Sequence, residues 1–220
     1  MRITFTLLAI VAMAAAAGSI VWAAPSFMGY TGLLAVPDAD VLGSGSFNAG
    51  YFSIQAGEDI TNFVGNYGIG GNVEIGINRM RVKGEQSETL LNAKYAVRTE
   101  TDKKVGLAAG ITDATGEIER TIYVVGSKVI GKSEKMSMFD KEITNLRLHF
   151  GLGSGGLDGV LVGASAILGN KLALLAEYDG DNFNVGARLY LLEGLRAHAG
   201  FFDAGGDNDF GLGVSFTKNY

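Results

Sequence analysis

Two Arg-x-His pairs, Arg147 with His149 and Arg196 with His198, contain both histidines of the chain and are the first place to look for chemistry. Histidine changes charge near neutral pH, and with a serine and an orienting group it can generate a nucleophile. Ser165 and Ser215 share the histidines' side of the chain when their segments are counted in twos. Neither serine lies in a motif that predicts a contact with a histidine, so the expectation is a polar network without catalytic residues. Gly151, Gly153 and Gly156 form a G-x-G-x-x-G, but the following "LDGVLVGASA" alternates as a strand and provides no helix N-terminus for a phosphate. Asp179, Asp181, Asp203, Asp207 and Asp209 fall in two loops. Oxygen-rich loops can hold calcium, yet the spacing is not that of an EF-hand and Asp, Asn and Gly are ordinary turn residues. No metal ligand and no cofactor is expected.

The elements that must position these residues are short and regular. From Ser46 onward the sequence divides into segments of period-two alternation bounded by Gly, Asn, Asp or Ser. The pattern predicts strands at 46–54, 60–68, 72–81, 88–98, 103–112, 119–129, 145–153, 158–168, 171–179, 182–191, 195–203 and 209–217. About twelve strands, an even number, suit an all-β, closed, antiparallel up-and-down transmembrane barrel spanning 46–220. Tight connections such as "GIGGNVE", "ILGNKLA" and "LLEGLRA" are expected at the end where the barrel starts. Acidic, more polar loops ("QAGEDI", "YDGDNF", "DAGGDNDF") belong to the other end. The stretch 130–144 breaks this rule, being long on the short side.

Composition supports a membrane setting. The 220 residues include 33 glycines, 2 prolines and no cysteine, and 47% are hydrophobic against 19% charged. Stability must therefore come from packing or closure rather than from disulfides. Phe183, Val185, Ala187, Leu189 and Leu191 alternate with Asn182, Asn184, Gly186, Arg188 and Tyr190. The second face is too rich in glycine for a water-facing exterior, so it is read as the interior and the apolar face as meeting lipid. In hydrocarbon every backbone polar group needs a protein partner, which only a closed sheet provides for strands. The formal charge of −5 argues against nucleic acid as a partner.

In this register Glu74, Lys94, Arg98, Arg147, His149, Glu177, Arg188, Tyr190, Arg196 and His198 face the lumen. Buried charges of both signs should pair with one another, bracing the lumen, or the arginines select an anion or an anionic sugar. Inward glycines, among them Gly163, Gly186, Gly200 and Gly211, leave room for another element. The candidate is 24–45, a lead-in or a lumen plug, with Leu33, Leu34 and Val36 tucked against the wall. Before it, "MRITFTLLAIVAMAAAAGSIVWAAPSF" reads as a signal peptide over 1–23, cut between Ala23 and Ala24; a retained anchor is the alternative.

Three stretches carry a family likeness: "GYTGLLAVPDADVLGSGSFNAGYF" (Gly29 to Phe52), "NYGIGGNVEIGINR" (Asn66 to Arg79) and "LLAEYDGDNFNVGARLYLLEGLRAHAGFF" (Leu174 to Phe202). Together they resemble the YjbH-like outer-membrane proteins linked to exopolysaccharide production. The resemblance implies a barrel in the outer membrane of a diderm bacterium, associated with surface polysaccharide, although the chain is short for the family's larger members. "DFGLGVSF" with the final aromatic, through Gly211, Val214, Phe216 and Tyr220, resembles the signal read by the barrel assembly machinery. The expected partners are that machinery, outer-membrane lipid, lipopolysaccharide and surface polysaccharide. The expected function is a small porin-like or structural envelope component, not an enzyme. Two alternatives stand beside it: a lipid-modifying membrane enzyme using His149 or His198, and a periplasmic lipid-binding barrel with the faces reversed.

Overall fold

A computed structural model describes residues 23–131, 137–138 and 141–220. The predicted signal peptide lies outside the described residues except for Ala23. The strands are β1 (Phe47–Gln55), β2 (Ile60–Gly70), β3 (Val73–Val82), β4 (Ser87–Arg98), β5 (Gly106–Thr112), β6 (Thr121–Gly131), β7 (Ser137–Met138), β8 (Lys141–Ser154), β9 (Gly159–Leu168), β10 (Leu172–Tyr178), β11 (Phe183–Tyr190), β12 (Leu195–Phe202) and β13 (Asp209–Lys218). Each pairs antiparallel with its neighbours in sequence, except that β6 pairs with β8 and the two-residue β7 only flanks the start of β8. β1 closes the ring against β13, with Phe47 opposite Lys218 and Gln55 opposite Phe210. The result is a closed up-and-down barrel of twelve strands, each near its predicted position. An even count brings both ends of the sheet to one rim.

Turn chemistry sets the registers. At Gly169–Asn170 both residues have positive φ, 52° and 56°, the geometry whose twist matches that of the strands it joins. The polar hairpins lie at the opposite rim. There Asp179 accepts from the backbone N–H of Asp181 and Asn182, and Asp203 from that of Asp207. These carboxylates hold their own turns, and among the described residues no acidic or histidine cluster is arranged to hold a metal.

The two faces differ as lipid and protein differ. Phe63, Ile77, Leu91, Val124, Leu152, Val162 and Leu212 all project outward and are exposed, whereas Glu74, Lys94, Arg147, His149, Glu177, Arg188, Arg196 and His198 are buried inside. This corrects the reversed-face alternative: a lipid-binding soluble barrel needs its apolar face inward, and here the polar positions of the alternation are the interior ones. Aromatic side chains gather toward both rims, Phe47 with Phe216 near the chain ends and Phe201 with Phe210 at the other. Membrane barrels carry aromatic girdles at these heights.

Arg98 is a correction. The sheet register shifts between Ala96 and Arg98, so Val97 is an extra residue and Arg98 stands opposite Leu107 on the outer face. A bulge reverses the facing of every residue beyond it. Arg98 is accordingly exposed, with its Nε donating to the Val105 carbonyl at 2.8 Å. The long stretch 130–144 resolves into the end of β6, β7 and the start of β8, while 132–136 and 139–140 lie outside the described residues.

Leu212 stands level with Ala199 at the middle of β12 and projects outward. Leu212→Arg is expected to destabilise the vesicle-inserted barrel by about 2–4 kcal/mol, read as a fall in the denaturant midpoint. Leu212→Phe should leave the midpoint nearly unchanged.

Candidate functional site

Eight strands enclose a space that side chains alone can fill, and twelve enclose more. Here residues 24–45 occupy the difference. Ala24, Phe27, Leu34 and Val36 are fully buried, with Leu33 at 3% exposure. The segment folds on itself first: Phe27 N donates to the Leu34 carbonyl at 2.9 Å, Leu33 N to Val36 at 2.8 Å, and the Tyr30 hydroxyl to Ala35 at 2.5 Å. Folded into turns and isolated bridges rather than a helix or sheet, it leaves backbone polar groups facing the wall.

The wall's charged side chains meet those groups. The Glu177 carboxylate accepts from three successive backbone amides, Leu34 at 3.0 Å, Ala35 at 2.6 Å and Val36 at 3.2 Å, while Asn184 donates to it from the next strand at 3.2 Å. Arg188 donates to the carbonyls of Gly32 at 3.0 Å and Leu33 at 3.1 Å. Lys94 donates to the Thr31 carbonyl at 2.9 Å and to Asp38 at 3.3 Å. Glu74 accepts from the Thr31 hydroxyl at 2.9 Å and from Leu42 N at 3.0 Å. Arg147 bonds both carboxylate oxygens of Asp40 and also reaches Glu100 at 2.9 Å. The expected pairing of wall charges with each other is thus replaced, for most of them, by pairing with the lead-in. Arg196 donates to Thr217 on the wall at 2.5 Å and lies over the Tyr190 ring.

Apolar contacts complete the fit. The Phe27 ring lies 4.8 Å from that of Phe52 and 5.1 Å from that of Phe202. The inward glycines form its socket. A Cβ on Gly163 would lie 2.8 Å from Leu33, one on Gly186 2.8 Å from Leu34, and one on Gly211 2.7 Å from Phe27. Val36 joins Tyr30, Tyr123, Val125 and Leu161 in a second cluster.

Both histidines are held in this interior. His198 Nδ1 accepts from Arg188 Nε at 3.2 Å, which places the ring proton on Nε2, facing Ser215 Oγ at 2.7 Å. A ring so protonated donates to the serine and cannot take its proton. His149 lies between Ser127 at 2.9 Å and Ser165 at 3.2 Å, and Ser127 in turn accepts from Ala39 N at 3.0 Å. Of the residues in the C-terminal motif, Gly211 contacts Phe27 from the wall, Val214 and Phe216 face outward, and Tyr220 is exposed.

Several residues of the site were not singled out from sequence. Phe27, Asp38 and Asp40 belong to the lead-in, where no periodicity marks a facing. Asn78, Asn92 and Ser127 donate to or accept from its backbone, at Met28, Gly29 and Ala39. Their signal was present: each occupies an inward position of its strand's alternation. A cavity of ≈ 20 Å³ remains beside Gly32, Leu33 and Asp38, room for about one water molecule.

No family model matches this chain, and no curated protein does. Among solved structures, the N-terminal β-barrel domain of Pseudomonas aeruginosa OprF is 15% identical and covers 80% of this chain and 99% of that one, with a TM-score of 0.28. A protein of unknown function from the DUF3598 family of Nostoc punctiforme is 9% identical over 80% of this chain and 96% of its own, at a TM-score of 0.22. Superpositions this loose say nothing about function.

Gly163→Ala is expected to loosen the lead-in by about 1–3 kcal/mol, seen as faster proteolysis within 26–45. Adding Leu33→Ala should recover part of that protection, because the two side chains then no longer overlap; equal or worse cleavage in the double variant would refute the socket. Acid should act on Asp40. Burial raises its pKa, but the hydrogen bonds and charge of Arg147 outweigh burial and hold the carboxyl below its usual value. Its stabilising effect is full above the unfolded value of about 3.9 and lost as pH falls through the lower folded value. Cleavage within 26–45 should accelerate in that acid window, and Asp40→Asn should flatten this dependence.

Proposed function

We propose that this protein is an outer-membrane β-barrel closed at rest by its own N-terminal segment, acting as a structural component of the envelope rather than as an open porin. The observation that carries this reading is the seat of residues 34–36 on Glu177 in a lumen otherwise filled by side chains. An aqueous pore needs a continuous polar path, whereas Phe27, Leu34 and Val36 fill this interior. The membrane setting is supported by the closed ring, the apolar outer face and the aromatic residues toward both rims. Export by the predicted signal would leave both ends of the sheet in the periplasm.

The histidines are assigned to holding the interior, since His198 is a donor toward its serine and both rings are buried beneath the lead-in. The likeness to YjbH-like proteins makes surface polysaccharide the partner class to test, and assembly by the barrel machinery is the expected route of insertion.

Planar-bilayer recording of refolded residues 24–220, inserted and folded, should give no steady conductance. Glu177→Ala combined with Arg188→Ala removes five hydrogen bonds to the lead-in and should produce open bursts. Steady channels from the unmodified protein would overturn the closed reading.

A further inference from the structure

The outer face of the barrel is apolar over most of its height, but beside the β1–β2 and β3–β4 hairpins it changes character. Two rows of side chains run there across β1 to β4. In the row nearer mid-height Tyr51 stands opposite Phe63, Phe63 opposite Arg79, and Arg79 opposite Thr89. In the row nearer the rim Thr61, Arg81 and Ser87 stand side by side. Beyond them Lys83 adds a third cation beside Asp59, and these residues, Thr89 apart, line a surface groove of ≈ 660 Å³.

The charge in this groove is only partly answered by the protein. Lys83 is paired with Asp59 at 3.1 Å. Arg79 donates one N–H to the Thr89 hydroxyl at 2.7 Å, leaving four of its five donors. Among the described residues no group pairs with Arg81. Arginine on the lipid face is costly at mid-membrane and tolerated close to the headgroups, and this patch lies at the rim away from the chain ends. The tilted Tyr51–Phe63 pair, 4.7 Å between ring centroids, forms an apolar wall beside Arg79 and one row below Arg81. Arg79 and Arg81 are two strand positions apart, about 7 Å, a span that one phosphate and its neighbouring ester can bridge. Guanidinium forks and hydroxyl donors are the groups that recognise phosphate oxygens.

We infer that this groove binds the phosphate of a phosphorylated lipid in the outer leaflet, with Arg79 and Arg81 on the phosphate, Thr61 and Ser87 as further donors, and Tyr51 and Phe63 against the acyl chains. The inference rests on the membrane reading and names the lipid class that this surface takes. The ring pair selects a lipid over free phosphate, because a free anion gains nothing from an aromatic wall.

The test is lipid binding by the full mature chain in neutral detergent, measured by native mass spectrometry with lipid A as the probe. Dephosphorylated lipid A and inorganic phosphate form the comparison arms. Arg79→Gln with Arg81→Gln is expected to weaken lipid A binding about 30-fold and to leave the dephosphorylated lipid unaffected. Arg79→Lys with Arg81→Lys, which keeps the charge, should be intermediate and serves if the glutamine variant does not fold. Equal binding of lipid A to the unmodified and substituted chains would overturn the inference, as would equal binding of the two lipids. Displacement of lipid A by equimolar inorganic phosphate would mean a free-anion site instead. Insertion into vesicles of neutral phosphatidylcholine is scored separately: failure there counts against the membrane reading, while insertion without lipid preference counts against this site alone.

Discussion

A backbone segment threaded through a closed barrel lies away from water, and each of its N–H and C=O groups must find a protein partner or remain unsatisfied at a cost of about 1–3 kcal/mol. The lead-in forms no helix and only isolated bridges of its own, Pro25 with Thr31 and Gly32 with Pro37. The wall therefore supplies what secondary structure would: Glu177 receives three successive amides, Arg188 and Lys94 cover carbonyls, and Glu74 takes the amide of Leu42. Charged side chains suit this task because their hydrogen bonds to neutral groups are stronger than those between neutral partners. The same groups would be costly in an empty apolar cavity, so wall and lead-in require each other.

That mutual requirement also accounts for the glycines. Glycine inside a strand lacks a side chain to pack and weakens it unless a close approach makes use of the space. At Gly163, Gly186 and Gly211 the space is taken by Leu33, Leu34 and Phe27. The outer face meets no lead-in, and beside these glycines it carries Val162, Leu212 and Phe201. A single alternation thus encodes two environments, a crowded polar interior and an apolar exterior.

The alternation made the fold legible before any coordinates. All twelve barrel strands lie near their predicted positions, and nine of the ten lumen candidates project inward. Arg98 does not, because a bulge at Val97 is a one-residue event that leaves no mark in a period-two pattern. The candidate site was legible from one side only. Glu177 and Arg188 could be placed on the inner face, but their partners could not, since backbone amides have no sequence signature and residues 24–45 have no period. The expectation that buried opposite charges would pair with each other was reasonable for an empty lumen; a filled one offers better-placed acceptors.

The histidines show that residue types alone do not set a ring's role. A serine lies within hydrogen-bond distance of each ring, as a nucleophilic pair would require. What separates His198 from a general base is the third group. In a catalytic arrangement the orienting partner is an acceptor, which leaves the far nitrogen free to take a proton. Here it is Arg188, a donor, which fixes the opposite tautomer. Arg188 also holds the carbonyls of Gly32 and Leu33, so the ring completes the donor's coordination and passes the constraint on to Ser215. His198, one of the first residues to invite a search for chemistry, thereby joins the scaffold through which Arg188 keeps the lead-in seated.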